Sequence, residues 1–155
     1  MIKQPYNRKF YMGVGVAENE NRLLAFDMAL QESGMANYNL LKISSILPPN
    51  FSECEKIDLP FGSLLPVAFA TLSSDVKGTI LTAGIAVAIP KSDKDIGVIM
   101  EISGNYTQET AREKLTKMCI SAMERRAIPV SDVLIETVTH LVEDLTVVFA
   151  GCAIW

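Results

Sequence analysis

The run from Thr79 to Pro90, Thr-Ile-Leu-Thr-Ala-Gly-Ile-Ala-Val-Ala-Ile-Pro, constrains this chain more than any other stretch. Nearly every position is apolar or small, with no alternation of polar and apolar residues. A strand with no polar face must be covered on both sides. Its apolar part, Ile80 to Pro90, is too short to span a bilayer and carries Thr82 and Gly84. The run therefore predicts an interior strand, and the rest of the chain has to supply its cover.

Two helices are available for that purpose. Asn19 or Asn21 caps the first, which runs from about Arg22 to Ser33 and ends at Gly34. Leu23, Phe26, Leu30 and Ser33 lie along one side of it. Thr107 caps the second, about Gln108 to Arg126, with Pro129 beyond its end. Ala111, Leu115, Met118, Ala122 and Met123 form its apolar stripe, and Glu109, Arg112, Glu113, Lys117 and Glu124 its polar face. The methionines read as core. Strands are expected at Lys9–Ala17, Asn37–Ile43, Val67–Leu72, Thr79–Pro90, Ile96–Ser103, Asp132–Leu141 and Leu145–Trp155. Pro60 to Pro66 reads as a turn, and Phe51 to Leu59 as polar and irregular. This order gives an α+β fold with helices laid over sheets. The 155 residues suit one domain. The chain is 49% apolar, with a mean hydropathy of +0.25, more than a lone domain needs, which points to buried subunit surface.

Several function classes fall away. The net charge of −4, with acids and bases interspersed, offers no grip on nucleic acid. Met1 to Lys9 lacks the apolar core of a signal peptide, so a soluble, cytoplasmic protein with no membrane partner is expected. Cys54, Cys119 and Cys152 are far apart and form no Cys-x-x-Cys pair, and His140 is the single histidine. This argues against a metal site or a disulfide framework and for inert thiols and a structural histidine. Gly13-Val14-Gly15 is no dinucleotide fingerprint: the third glycine is missing, and Glu18 and Glu20 follow where phosphate would be repelled.

Three places carry candidate chemistry. Ser44-Ser45 ends an apolar run just before Pro48-Pro49. Prolines donate no backbone hydrogen bond, and Pro48 pushes Leu47 out of helical geometry. The pair is either a solvated serine turn or a rigidly held reactive segment. Glu101 follows Val98-Ile99-Met100 and is either exposed at a sheet rim or half-buried, where its pKa rises and it can carry a proton. Asp27 in the first helix is either solvated or projects into a site beside the core stripe.

Ile43-Ser44-Ser45-Ile46-Leu47-Pro48-Pro49 resembles the self-cleavage segment of the pyruvoyl-dependent arginine decarboxylases. The resemblance runs along most of the chain. It takes in Leu24-Ala25-Phe26-Asp27, Asn37-x-Asn39-Leu40, Leu59-Pro60-x-Gly62, Ser74-Asp75-Val76-x-Gly78, Val87 to Lys91, Ile99-Met100-Glu101 and Ala153-Ile154-Trp155. Each match is weak alone; in this order, around Ser44-Ser45, they are specific.

The resemblance implies a four-layer αββα sandwich that assembles as trimers, sometimes paired into hexamers, with active sites between neighbouring subunits. It implies self-cleavage into residues 1–44 and 45–155. The Ser45 hydroxyl attacks the Ser44 carbonyl, the resulting ester undergoes β-elimination, and hydrolysis with loss of ammonia leaves a covalent pyruvoyl group at position 45. That group stands in for pyridoxal phosphate as carbonyl electrophile and electron sink, with no metal. Glu101 matches the family's proton donor, Asp27 the carboxylate that meets the substrate guanidinium, and Asn39 a residue near the pyruvoyl group. The implied reaction converts arginine to agmatine and carbon dioxide, serving polyamine synthesis or acid resistance. A pyruvoyl decarboxylase for another cationic amino acid and an uncleaved oligomeric scaffold are the competing readings.

Overall fold

The structure is a computed structural model that describes residues 9–155. Residues 1–8, most of the stretch searched above for a signal peptide, lie outside them.

The interior strand exists and is covered as its composition requires. It is β6 (Ile80–Pro90), buried continuously from Leu81 to Ala88. It pairs antiparallel with β7 (Gly97–Gly104) and β8 (Val130–Leu141), and β7 also pairs with the two-residue β3 (Ile46–Leu47). The second sheet runs in the order β2 (Asn39–Lys42), β5 (Leu64–Ser74), β9 (Thr146–Ile154), β1 (Lys9–Glu18), β4 (Ser52–Glu53). The sheets face each other. Leu81, Ala83, Ile85 and Val87 of β6 meet Val148, Ala150, Cys152 and Ile154 of β9 in the central core. The outer face of the first sheet, with Ala86 and Ala88, is covered by α2 (Gln108–Glu124). The outer face of the second, with Val147, Phe149 and Ala153, is covered by α1 (Arg22–Ser33). This is the four-layer αββα sandwich. Thr82 sits fully buried because its hydroxyl donates to Tyr106 O at 2.6 Å and shares a hydrogen bond with Thr139 Oγ1 at 2.8 Å.

Both helices form where expected, with corrected faces. Asn21 is the N-cap of α1, its Oδ1 accepting from Leu24 N at 3.1 Å, and Gly34 closes it at φ 83°. The buried face is Ala25, Ala29, Leu30 and Ser33, while Leu23 is 76% exposed. The reason lies in β1. A Cβ at Gly15 would stand 1.9 Å from Ala29 O, and one at Gly13 2.2 Å from Ser33 O. The two glycines let the helix backbone lie directly on the strand, so its contact face is built from small residues and Leu23 is turned outward. In α2, Cys119 rather than Met118 completes the buried stripe, and Met118 is 37% exposed. The helix ends at Glu124, not Arg126, because Ala127 takes φ 55° and Ile128 N turns back to Met123 O at 3.1 Å.

The expected turn at Pro60 to Pro66 is shorter than read, since β5 already begins at Leu64. Asn39 and Ile43 donate to Ser63 O and Val67 O in the parallel β2–β5 pair. The missing donor of Pro66 therefore falls on the side away from β2, one residue before pairing with β9 starts at Val67. The irregular segment after the double proline contributes β4 as a short edge against β1.

Candidate active site

The chain changes sheets once between β2 and β3, and Ser44-Ser45 is the crossing. On one side, Ile43 N donates to Val67 O at 3.1 Å, the last backbone bond to the β5 sheet. On the other, Ile99 N donates to Ser45 O at 2.7 Å, the first backbone bond to the β7 sheet, and Ile46 then pairs with Val98. The peptide between the serines is thus anchored at both ends to different sheets. Ser44 is exposed and Ser45 half-buried. Among the described residues, neither hydroxyl has a hydrogen-bond partner. Pro48 and Pro49, part-buried behind Leu47, hold the exit of the crossing extended.

Glu101 stands two residues beyond Ile99 on β7, paired with Ile85 of β6. The period of two puts it on the same face as Ile99, which packs in the core between the sheets. Of the two sequence alternatives for Glu101, the half-buried one is observed. Burial pushes its carboxyl above the usual range, and the Lys42 ammonium pulls the other way. Lys42 is the last residue of β2, and its Nζ lies 4.8 Å from the centroid of the Phe69 ring. Sequence reasoning passed over Lys42, although it is the lone charge in its strand.

The remaining candidates lie apart. Asp27 is exposed on α1, its Oδ2 accepting from Gln31 Nε2 at 2.8 Å. Asn39 opens β2 at the end away from Ser45, its Nδ2 donating to Gly62 O at 2.8 Å. Within one chain, the Ile99 N–Ser45 O bond sets Ser44-Ser45 two residues along β7 from Glu101. No hydrogen bond or ion pair connects Asp27 or Asn39 to these residues among the described residues. Asp27 instead shares the open side of α1 with Leu23, Leu24 and Met28, which are 76%, 54% and 41% exposed.

Three further titratable groups lie outside this region. His140 Nε2 lies 2.7 Å from Glu18 Oε1. Burial pushes the Cys119 thiol up to about 11 and that of Cys152 further. Among the described residues no group of three His, Cys, Asp or Glu side chains is placed to hold a metal ion.

The model of the pyruvoyl-dependent arginine decarboxylases matches residues 9–150. The chain belongs to this family. It is 36% identical over 156 residues to the pyruvoyl-dependent arginine decarboxylase of Methanococcus aeolicus, covering 99% of this chain and 94% of that one. It is 38% identical over 141 residues to that of Methanocaldococcus jannaschii, covering 91% and 86%. With the Thermococcus kodakarensis protein of the same name it shares 34% identity over 138 residues, 88% of this chain and 87% of the relative. A solved structure of a pyruvoyl-dependent histidine decarboxylase at pH 8 superposes with a TM-score of 0.51 at 14% identity, over 65% of this chain and 54% of that one. It shares the sandwich.

Proposed function

We propose that this protein cleaves its own chain between Ser44 and Ser45, carries the resulting pyruvoyl group at position 45, and decarboxylates L-arginine to agmatine. The observation that carries this reading is the crossing itself. A peptide bond fixed at Ile43 to one sheet and at Ser45 to the other has little freedom to drift. Its carbonyl carbon stays within reach of the free Ser45 hydroxyl, and such enforced proximity is a large part of what an intramolecular attack needs. Attack forms the Ser45 Oγ–Ser44 carbonyl bond and breaks the Ser44–Ser45 amide, giving an ester; β-elimination then breaks the Ser45 Cβ–Oγ bond and frees the Ser44 carboxylate, and hydrolysis of the dehydroalanine left at position 45 releases its nitrogen as ammonia. The products are residues 1–44 and 45–155 of what we read as a single domain.

The residues present fit the group. Ile99 N–H holds the carbonyl of residue 45 at 2.7 Å, and Ile46 and Leu47 pair with Val98 and Gly97. None of these bonds depends on the peptide that is cut, so the new terminus remains tethered beside Glu101. When formed, the pyruvoyl group supplies a carbonyl for the substrate amine and a sink for electrons. Glu101, half-buried and biased towards its protonated form, holds the proton to be delivered to the substrate α-carbon. Asp27 provides a carboxylate for a guanidinium, and Asn39 a polar group on the approach.

The separation of Asp27 from Ser45 within one chain supports assembly with the active site shared between copies, as trimers or pairs of trimers. Leu23, Leu24 and Met28 around Asp27 form an apolar patch suited to a neighbouring subunit. No helix among the described residues is long and apolar enough to cross a membrane, which fits a cytoplasmic enzyme.

The test is the intact mass of the denatured protein, followed by carbon dioxide release from arginine, lysine and ornithine. Two chains meeting at Ser44/Ser45, the larger having lost its amino nitrogen, together with arginine-dependent release, are the expected result. A chain that stays whole on prolonged incubation overturns the reading.

A further inference from the structure

Asp27 is a carboxylate without a cation: among the described residues it takes part in no ion pair. On a helix, the side chains that reach it are those three and four positions away. In α1 these are Leu23, Leu24, Leu30 and Gln31, and only Gln31 is polar. Its Nε2 donates to Asp27 Oδ2 at 2.8 Å. The other two charges of the helix, Arg22 and Glu32, stand five positions away on either side, about 140° round the axis. A surface pair of this kind does little for a helix by itself. Its interest lies in what it does to an acid that faces outward among exposed Leu23, Leu24 and Met28.

We propose that Gln31 is a positioning residue for Asp27 and, through it, a determinant of the preference for a guanidinium over an ammonium group. The inference rests on the decarboxylation proposed above, with Asp27 meeting the cationic end of the substrate, and deepens it. The reason is directional. A guanidinium meets a carboxylate with two parallel N–H groups only when the two planes match. An ammonium is a compact charge with three rotatable donors and accepts a carboxylate in almost any orientation. The last torsion of an aspartate is soft. Held at Oδ2 by Gln31, the Asp27 carboxyl loses that freedom before the substrate arrives, so less has to be ordered on binding. The bond uses up neither oxygen, because each keeps a lone pair for a second donor. Gln31 is also neutral. A lysine in its place would hold the carboxylate as well but would cancel the charge that the substrate needs.

The test uses the processed enzyme. The KM for arginine and the inhibition constant of lysine against arginine are measured for Gln31→Met, for Asp27→Asn and for the double variant. Methionine matches glutamine in length and helix preference but has no amide. In Gln31→Met, KM for arginine rises about threefold to tenfold, kcat changes less, and the lysine constant moves by a smaller factor, so the preference for arginine narrows. In the Asp27→Asn background the same substitution adds little further loss. Gln31→Lys, which gives Asp27 a permanent cation, raises both constants. An unchanged KM in Gln31→Met overturns the proposal. So does an equal shift for arginine and lysine, because general loss of structure rather than of direction would then be responsible. The full loss repeated in the Asp27→Asn background also overturns it, since Gln31 would be acting elsewhere. Asp27→Asn with the wild-type KM marks a failure of the Asp27 reading and takes Gln31 with it. A loss in Asp27→Asn with none in Gln31→Met marks the failure of Gln31 alone.

Discussion

Two polar bridges join the facing sheets, and they are built in opposite ways. At one end, Glu18 of β1 meets His140 of β8. Its Oε1 lies 2.7 Å from His140 Nε2 and accepts from Thr146 Oγ1 at 3.2 Å and Glu143 N at 3.3 Å. At the other, the Ser44-Ser45 peptide crosses from sheet to sheet with its backbone fixed and its hydroxyls unengaged. These hydrogen bonds, His140 first, hold the Glu18 carboxyl below the usual range. Burial holds that of Glu101 above it. At the engaged bridge, three partners already meet Glu18 Oε1. The other keeps a nucleophile, a carbonyl and a proton in reserve, as a site must when its partners arrive only with the reaction.

The sharpest way to break this contrast is to remove the reserve. Ser45→Ala takes away the attacking oxygen and leaves the backbone anchors untouched. We expect one uncut chain by mass, native by circular dichroism, with no measurable decarboxylation. Any cleavage at that bond in Ser45→Ala would show that Ser45 is not the nucleophile.

Glu101→Gln separates the two tasks of the crossing. Self-cleavage uses Ser45 and should still go to completion, whereas proton delivery should fail. Turnover is expected to fall by about 10²- to 10⁴-fold, the usual worth of a positioned acid. Normal turnover of a fully processed Glu101→Gln enzyme would move the proton donor elsewhere. Asp27→Asn should act more weakly and on binding. Losing one charged hydrogen-bond partner costs about 1.5–3 kcal/mol, which appears in KM for arginine with little change in kcat. Unchanged KM would remove Asp27 from the substrate site.

Much of this was legible beforehand because it rests on local rules. The apolar run of β6 dictated cover on both faces, Asn19 or Asn21, Gly34 and Thr107 marked helix ends, and Pro48-Pro49 marked a conformationally restricted segment after the serines. What was misread depends on partners distant in sequence. The inward face of α1 is decided by Gly13 and Gly15, which set how closely the helix approaches, so hydropathy alone chose Leu23 wrongly. Met118 lost its place to Cys119 because a helix stripe is fixed by the sheet it meets. Asp27 and Asn39 came from family likeness, and a single chain gives no geometric reason to join them to Ser45.

The smallest effect tests the contrast most directly, through stability. Glu18 has a depressed folded-state pKa. Its contribution is present above the unfolded-state value and is lost as pH falls through the folded one. Glu101 has a raised folded-state pKa, so the folded chain is favoured while the proton is on and loses that advantage as pH rises through the folded value. Neutral glutamine should therefore act in opposite directions at the two bridges. In the uncleaved Ser45→Ala background, Glu18→Gln lowers the urea midpoint near neutral pH and Glu101→Gln raises it. Both differences shrink as the solution is acidified and the carboxyls take up protons. Midpoints that move in the same direction, or gaps that do not change with pH, would mean that the two carboxyls do not differ in the way their surroundings require.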